Sequence, residues 1–322
     1  MATKPKLMLA RKFPDDVEAR IEQSYDVVWN KEDVVLSADD IVSRAEGCDA
    51  IMVSPTDKID ADVISRLPDS VKMIATFSVG FDHVDVKAAT AKGLVVSNTP
   101  DVLTDATADI AMLCMLGAAR LAYASECLLR ERRWKRWTPT ELLGVQVTGK
   151  RLGIYGMGRI GRAVAQRARG FNMDILYHDM VELPKDLVGD ATYYANVEDM
   201  LPHCDFLTLH CPLTPETHHF LNEKRINTMP QNAVVINTAR GPVIDDDALI
   251  AALKSGRLAG AGLDVFEGEP KINPGYFDLP NAFILPHIGS ATVETRNAMG
   301  FLCVDNLDAF FAGKEMPTQV KL

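Results

Sequence analysis

The sequence predicts an α/β protein built from two doubly wound parallel sheets, in two domains with a cleft between them. Three observations carry this reading. The chain has 322 residues, more than one ordinary core accommodates. Short β-rich runs alternate with helical segments, and they do so twice along the chain. Between the two alternations lies a long stretch that is apolar nearly all round.

The first alternation fills the first hundred residues. It runs "KLMLA", "VEARIEQ", "YDVVW", "ADDIVSRAEG", "DAIMVS", "ADVISRL", "VKMIATFSV", "HVDVKAATAKG" and "LVVSN". Ser37 followed by Asp40 supplies a capping-box start for the second of its helices. From Thr104 to Arg120, "TDATADIAMLCMLGAAR" reads as a helix buried between layers or domains, the bridge out of the first domain. The second alternation begins at Arg151. Strand "RLGIY" is followed by a helix over 159–169, strands "DILYHD", "DFLTLH" and "AVVIN", helix "DDALIAALKSG", and strands "GAGLDVF" and "AFILPH". A closing helix over 291–312 follows a sheet that is already complete, so it is expected to cross back and pack on the first domain.

Composition sets the bounds. The chain is 47% hydrophobic and 24% charged, and no apolar run approaches the roughly 18 residues of a membrane span. The start, "MATKPKLMLARKF", has too short an apolar stretch for a signal peptide, and the final "VKL" is not the peroxisomal tripeptide, so a cytoplasmic location is expected. Six cysteines are scattered without a C-x-x-C, which signals neither a zinc site nor a disulfide framework. No metal is expected. The net charge is −10, and one basic cluster, "LLRERRWKRW", carries two tryptophans. On an acidic chain it reads as a solvated face or a subunit interface with aromatic anchors, and no nucleic-acid partner is expected.

The stretch "RLGIYGMGRIGRAVAQ" holds Gly156, Gly158 and Gly161 at G-x-G-x-x-G spacing. That spacing alone is weak; its context is strong, because the glycines follow a strand, open an amphipathic helix and precede a second strand ending in Asp179. One glycine makes the tight turn, one lets the backbone approach a pyrophosphate, and one lets helix and strand pack closely, while helix amides hold the anion. Asp179 lies 18 residues beyond Gly161, near the roughly 20 at which an acid accepts from ribose hydroxyls. A carboxylate there repels a 2′-phosphate, so NAD is favoured and NADP disfavoured; His178 beside it would partly relieve that repulsion.

Ligands of open α/β sheets sit at the carboxyl ends of strands. Charged residues found there are Arg240 after "AVVINTA", Asp264 to Glu269 in "DVFEGE", and His287 closing "AFILPH". An arginine fork matches a carboxylate, a histidine delivers the proton that balances a hydride, and a carboxylate orients the imidazole. Together they suit carbonyl reduction next to a carboxylate. Singly each is weak: an arginine there is as often a structural salt bridge, and spacing does not choose among seven histidines. Ser78, Val79 and Gly80 end a first-domain strand, where exposed amides would bind a substrate carboxylate or simply make a turn.

Taken in order, "SVGFDHVD", "GMGRIG", "NTARG", "LDVFEGEP" and "LPHIGS" resemble the D-isomer-specific 2-hydroxyacid dehydrogenase family, essentially end to end. Within it the chain looks most like the D-glycerate dehydrogenases and the glyoxylate/hydroxypyruvate reductases. The resemblance implies a flavodoxin-like substrate-binding domain over 1–101 and 291–322, and a Rossmann dinucleotide-binding domain over 102–290 with a dimerisation arm near 123–147. It implies Arg240 as the group binding the substrate's carboxylate and carbonyl, His287 as acid/base and Glu269 as its partner. It further implies that Asp264 contacts the nicotinamide carboxamide. Cofactor contacts follow from Thr107, Met157, Arg159, Ile160, Cys211, Pro212, Thr217, Thr238, Ala239 and Gly289, and substrate contacts from the Val79 and Gly80 amides and Trp137. The implied protein is a homodimer in which the region of Trp134 and Trp137 forms part of the arm. It reduces a small 2-keto acid, hydroxypyruvate or glyoxylate, to the D-2-hydroxy acid.

Other readings stay open. Formate dehydrogenases pair the histidine with glutamine, whereas Glu269 argues for proton transfer. Phosphoglycerate dehydrogenases often carry C-terminal regulatory domains. An NAD(H)-sensing corepressor of the same fold and triad, or a dehydrogenase of another D-2-hydroxy acid, is the alternative; the chain shows no disordered flanks of the kind a corepressor uses.

Overall fold

A computed structural model describes residues 4–321, in which the chain forms two compact units. One comprises the chain up to Leu103 together with everything from Ser290 on; the other is Thr104–Gly289.

The first unit alternates β1 (Lys6–Leu9), α1 (Asp15–Ser24), β2 (Asp26–Val28), α2 (Ala38–Arg44), β3 (Ala50–Val53), α3 (Ala61–Arg66), β4 (Met73–Thr76), α4 (Val86–Ala91) and β5 (Val95–Ser97). The strands are parallel in the order β2-β1-β3-β4-β5, the flavodoxin-like arrangement. Their near-continuous apolar character follows from burial on both faces. Met8, Ile51, Ile74 and Val96 point to one face, under Ile41, Val63, Ile64 and Ala89 of the following helices. Leu7, Leu9, Ala50, Met52, Met73 and Ala75 point to the other, under Val17 and Ile21 of α1 and Cys303, Val304 and Leu307 of the last helix, α12 (Val293–Phe311). The capping box forms: Ser37 Oγ accepts from the Asp40 amide while the Asp40 carboxylate accepts from the Ser37 amide.

The second unit holds α5 (Thr104–Ala119), α6 (Ala122–Arg130), β6 (Arg151–Tyr155), α7 (Arg159–Arg169), β7 (Asp174–His178), α8 (Lys185–Val188), β8 (Thr192–Tyr193), α9 (Val197–Met200), β9 (Phe206–Leu209), α10 (Glu223–Thr228), β10 (Ala233–Asn237), α11 (Asp246–Lys254), β11 (Leu258–Leu263) and β12 (Ala282–Ile284). All seven strands are parallel, in the order β12-β11-β10-β9-β6-β7-β8. The order reverses between β6 and β9, which makes that junction the topological switch point.

The apolar α5 is explained by its surroundings. It packs against α7 and against β10, β11 and β12, leaving little of its surface to water. Gly262 of β11 lies directly on the backbone of Cys114, a helix-to-strand approach that leaves no room for a Cβ. No single helix among the described residues is long and apolar enough to cross a membrane. Five of the six cysteines are buried, Cys127 is half-buried, and all are free thiols.

Several elements went unread in the sequence. Helices α8, α9 and α10 have four to six residues, and β8 has two, too few to show a period. Helix α6 contains no buried residue, and its Tyr123 and Leu129 are exposed. The segment after it, 131–147, carries Trp134 and Trp137 at 54% and 77% exposure.

Candidate active site

The glycine turn closes β6 at the switch point. The Gly156 amide donates to His178 O (3.0 Å) at the end of β7, and the His210 amide donates to Tyr155 O (2.8 Å) beyond β9. Each glycine has its own reason. Gly156 adopts φ 97° with its Cα against the His210–Cys211 backbone. Gly158, the N-cap of α7, has open space where a Cβ would stand and no side-chain cap, so the first amides of the helix face outward. Gly161 sits on the Gly156 carbonyl, which a Cβ would strike.

Asp179 follows β7 and holds this turn from the side. Its Oδ2 accepts from the Met157 amide (2.7 Å) and its Oδ1 from the Met180 amide (2.8 Å), leaving each oxygen a further lone pair. The Met157 side chain is fully buried, so what it offers a ligand is backbone. Arg159 is exposed at the first turn of α7, with Ile160 partly buried beside it. His178 is engaged elsewhere: its Nδ1 is 2.8 Å from Tyr194 O and its ring stacks on Tyr155.

Across the switch point, the loop after β9 is shaped by Thr217. Its Oγ1 donates to Pro212 O (2.7 Å) and accepts from the Thr214 amide (2.8 Å). Cys211 is buried, which pushes its thiol up to about 12 and keeps it protonated.

The charged residues stand at the carboxyl ends of β10, β11 and β12, three neighbouring strands. Asn237, buried as the last residue of β10, folds the turn that presents Arg240: its Oδ1 accepts from the Ala239 amide (3.0 Å) and its Nδ2 donates to Arg240 O (2.9 Å). Asn237 is a functional residue outside the sequence expectations, although a lone amide ending the apolar run AVVIN is a readable signal. Arg240 Nη1 donates to Ala239 O (2.8 Å). Gly241 then lies so close on the Phe266–Glu267 backbone that only glycine fits, which joins the Arg240 turn to the loop carrying Glu269.

Glu269 bridges two segments. Its Oε1 accepts from the Phe266 amide (2.7 Å), and its Oε2 lies 2.7 Å from His287 Nδ1. His287 takes a left-handed backbone, φ 53°, and its side chain is 42% exposed, leaving Nε2 free of the carboxylate that orders Nδ1. Asp264 is almost wholly buried and accepts from the Ile288 amide (2.7 Å). Burial raises its pKa, while the amides of Ile288 and Gly289 and the His287 imidazole pull it back. Thr107 of α5 donates to Gly289 O (3.4 Å).

These residues fit a dinucleotide. The Thr238 hydroxyl, at the end of β10, is buried without a hydrogen-bond partner, and the open flank of Gly158 leaves the amides of α7 accessible. A buried hydroxyl without a partner and an uncapped helix N-terminus, both following strands of one sheet, are what a polar ligand satisfies.

In the first unit, Val79 and Gly80 follow β4. Asn98 Nδ2 donates to Val79 O (2.8 Å) and Ser78 Oγ to Gly80 O (2.7 Å), so side chains occupy the two carbonyls and fix the turn.

The fold and the strand-end groups define a dinucleotide-dependent oxidoreductase of the α/β class. The comparisons agree: residues 112–289 match the family model described as D-isomer specific 2-hydroxyacid dehydrogenase, NAD binding domain. Among curated relatives, the chain is 43% identical to a glycerate dehydrogenase of Hyphomicrobium methylovorum, covering 98% of both chains. It is 42% identical to a glyoxylate reductase of Thermococcus litoralis, covering 98% of this chain and 97% of that protein. A solved structure of an NADPH-dependent glyoxylate/hydroxypyruvate reductase of Sinorhizobium meliloti, in complex with NADP and malonate, superposes with a TM-score of 0.87 at 35% identity, covering 99% and 97%. The chain belongs to the D-isomer specific 2-hydroxyacid dehydrogenase family.

Proposed function

We propose that the protein reduces a small 2-keto acid, hydroxypyruvate or glyoxylate, to the D-2-hydroxy acid with NADH, reversibly, and that it works as a cytoplasmic homodimer. The observation that carries the reaction is the 2.7 Å contact between Glu269 and His287 at the end of β12, beside the turn that presents Arg240. The names of the relatives, a glycerate dehydrogenase and a glyoxylate reductase, support the substrate class.

The chain's groups divide the work. Reduced nicotinamide, when bound, supplies a hydride. Arg240 pairs with the substrate's carboxylate and polarises its carbonyl oxygen. Glu269 fixes His287 through Nδ1, and Nε2 of the imidazolium donates the proton that the new alkoxide needs. Asp264 secures the Ile288 and Gly289 amides and faces the nicotinamide carboxamide. Thr107, Met157, Arg159, Ile160, Cys211, Pro212, Thr217, Thr238, Ala239 and Gly289 complete the cofactor contacts, with the pyrophosphate on Gly156, Gly158 and Gly161. In the first unit the Val79 and Gly80 amides serve the carboxylate.

Asp179 favours NAD. The residues after it are Met180, Val181 and Glu182, none of which offers a cation to a 2′-phosphate. The exposed Trp134 and Trp137 on 131–147 suit a subunit contact, and Trp137 suits a role at the substrate site.

Initial rates with hydroxypyruvate, glyoxylate and pyruvate, each with NADH and NADPH, test this. The expected result is preference for NADH with one of the first two. Preference for NADPH overturns the Asp179 argument alone, and binding of NADH without turnover of any keto acid favours the sensor alternative.

A further inference from the structure

A second histidine–carboxylate group lies in the Thr104–Gly289 unit, its Glu267 two residues before Glu269. His218 and His219 sit in the loop after β9, and Glu267 lies in the loop after β11. The His219 amide donates to Pro242 O (2.7 Å), and His219 adopts φ 47°, an uncommon backbone for a side-chain-bearing residue. The two rings stack with centroids 4.1 Å apart. His219 Nε2 is 3.2 Å from Glu267 Oε2, and one ligand atom from each of the three residues lies within 4.8 Å of the others.

We infer that His218, His219 and Glu267 form a binding site for a single divalent ion of the zinc class. Two imidazoles and one carboxylate select zinc, cobalt, nickel or copper over magnesium and calcium, which take oxygen donors. Three protein ligands leave a fourth tetrahedral position for water. With metal–ligand bonds of about 2.0 Å, the edge of such a tetrahedron is roughly 3.3 Å. The His219–Glu267 separation of 3.2 Å already has that length. The exposed His218 closes the remaining distance by rotating about its side-chain bonds. An ion pair between His219 and Glu267 alone, with side chains 37% and 43% exposed, is worth little and gives the second, stacked imidazole no role.

The sequence offered no such site because 48 residues separate Glu267 from His219. Their meeting depends on Gly241 bringing the Arg240 turn onto the Phe266–Glu267 backbone while Pro242 anchors His219.

The test uses the full, tag-free chain, stripped with a chelator and titrated with zinc by calorimetry and with cobalt by visible absorption. One equivalent of zinc and a tetrahedral cobalt spectrum without thiolate charge-transfer bands are expected. His218→Ala and Glu267→Gln should each weaken binding at least tenfold, and His219→Ala more. Three results overturn the proposal: no stoichiometric binding by the wild-type chain, unchanged binding in His218→Ala and Glu267→Gln, or thiolate bands that place the ion on cysteines. If His219→Ala does not fold, the exposed His218 variant and the wild-type cobalt spectrum still decide the matter.

Discussion

Glu269 uses both carboxylate oxygens, one on the Phe266 amide and one on His287 Nδ1, so the imidazole cannot rotate without losing a charge-assisted bond. His287→Ala should therefore lower kcat by about 10²–10⁴-fold, the usual size of a lost acid/base. NADH binding, read by fluorescence titration, should stay nearly unchanged; near-normal turnover would remove His287 from this role. Asp179 allows a cleaner substitution than most, since Asp179→Asn removes the charge yet keeps an oxygen for the Met157 amide. The ratio of kcat/KM for NADPH over NADH should rise about 10- to 100-fold, equal to about 1.4–2.7 kcal/mol. An unchanged ratio would mean that the carboxylate does not set the cofactor choice.

At the scale of elements, strand runs and the glycine turn were legible because both sheet faces are buried and because Gly156 and Gly161 meet backbone that a Cβ would strike, while Gly158 leaves open space at the start of α7. The helix expected over 159–169 forms over Arg159–Arg169, and the helix expected over 291–312 forms over Val293–Phe311. The short helices and the two-residue β8 escaped, since a period needs more than one turn or one alternation to appear. Which of seven histidines meets a carboxylate also escaped spacing alone, because Glu269–His287 and His219–Glu267 are made by loops that only the sheet order juxtaposes. Strand pairing suggests its own test. Asp205, just before β9, accepts from the Arg151 amide (3.0 Å), from Nε (3.0 Å) and from Nη2 (2.8 Å) at the start of β6. The Arg151 guanidinium beside it lowers the Asp205 pKa despite partial burial. A carboxylate depressed in the folded state stabilises above its unfolded pKa of about 3.9, and that contribution is lost as pH falls through the folded value. Asp205→Asn should cost about 1 kcal/mol at pH 7, allowing for screening of the half-exposed guanidinium. The gap between variant and wild type in denaturant melts should shrink as pH drops below about 4; a gap independent of pH would refute the linkage.

On the scale of the whole chain, the first unit is assembled from two distant pieces. Its sheet face of Leu7, Leu9, Met52 and Met73 is covered by α1 and by α12, and α12 arrives only after the entire Thr104–Gly289 unit. The contact is close: a Cβ at Gly300 of α12 would strike the Val17 side chain of α1, and Arg20 pairs with Asp305 (2.6 Å) and Asp308 (3.0 Å) across the two helices. Gly300→Val should therefore overpack this seam and cost about 1–3 kcal/mol. The Thr104–Gly289 unit has no such dependence. Its two cores, one under α5 and α7 and the other around Leu207, Val235 and Leu263, draw every member from within its own span. A fragment of residues 104–289 should fold alone with a cooperative thermal transition, whereas a chain ending at Gly289 should keep that transition and bind a hydrophobic dye at the uncovered face of the first sheet. A chain cut at Gly289 that shows no dye binding, with the first unit's transition intact, would mean that α1 alone suffices to close the face that α12 covers here.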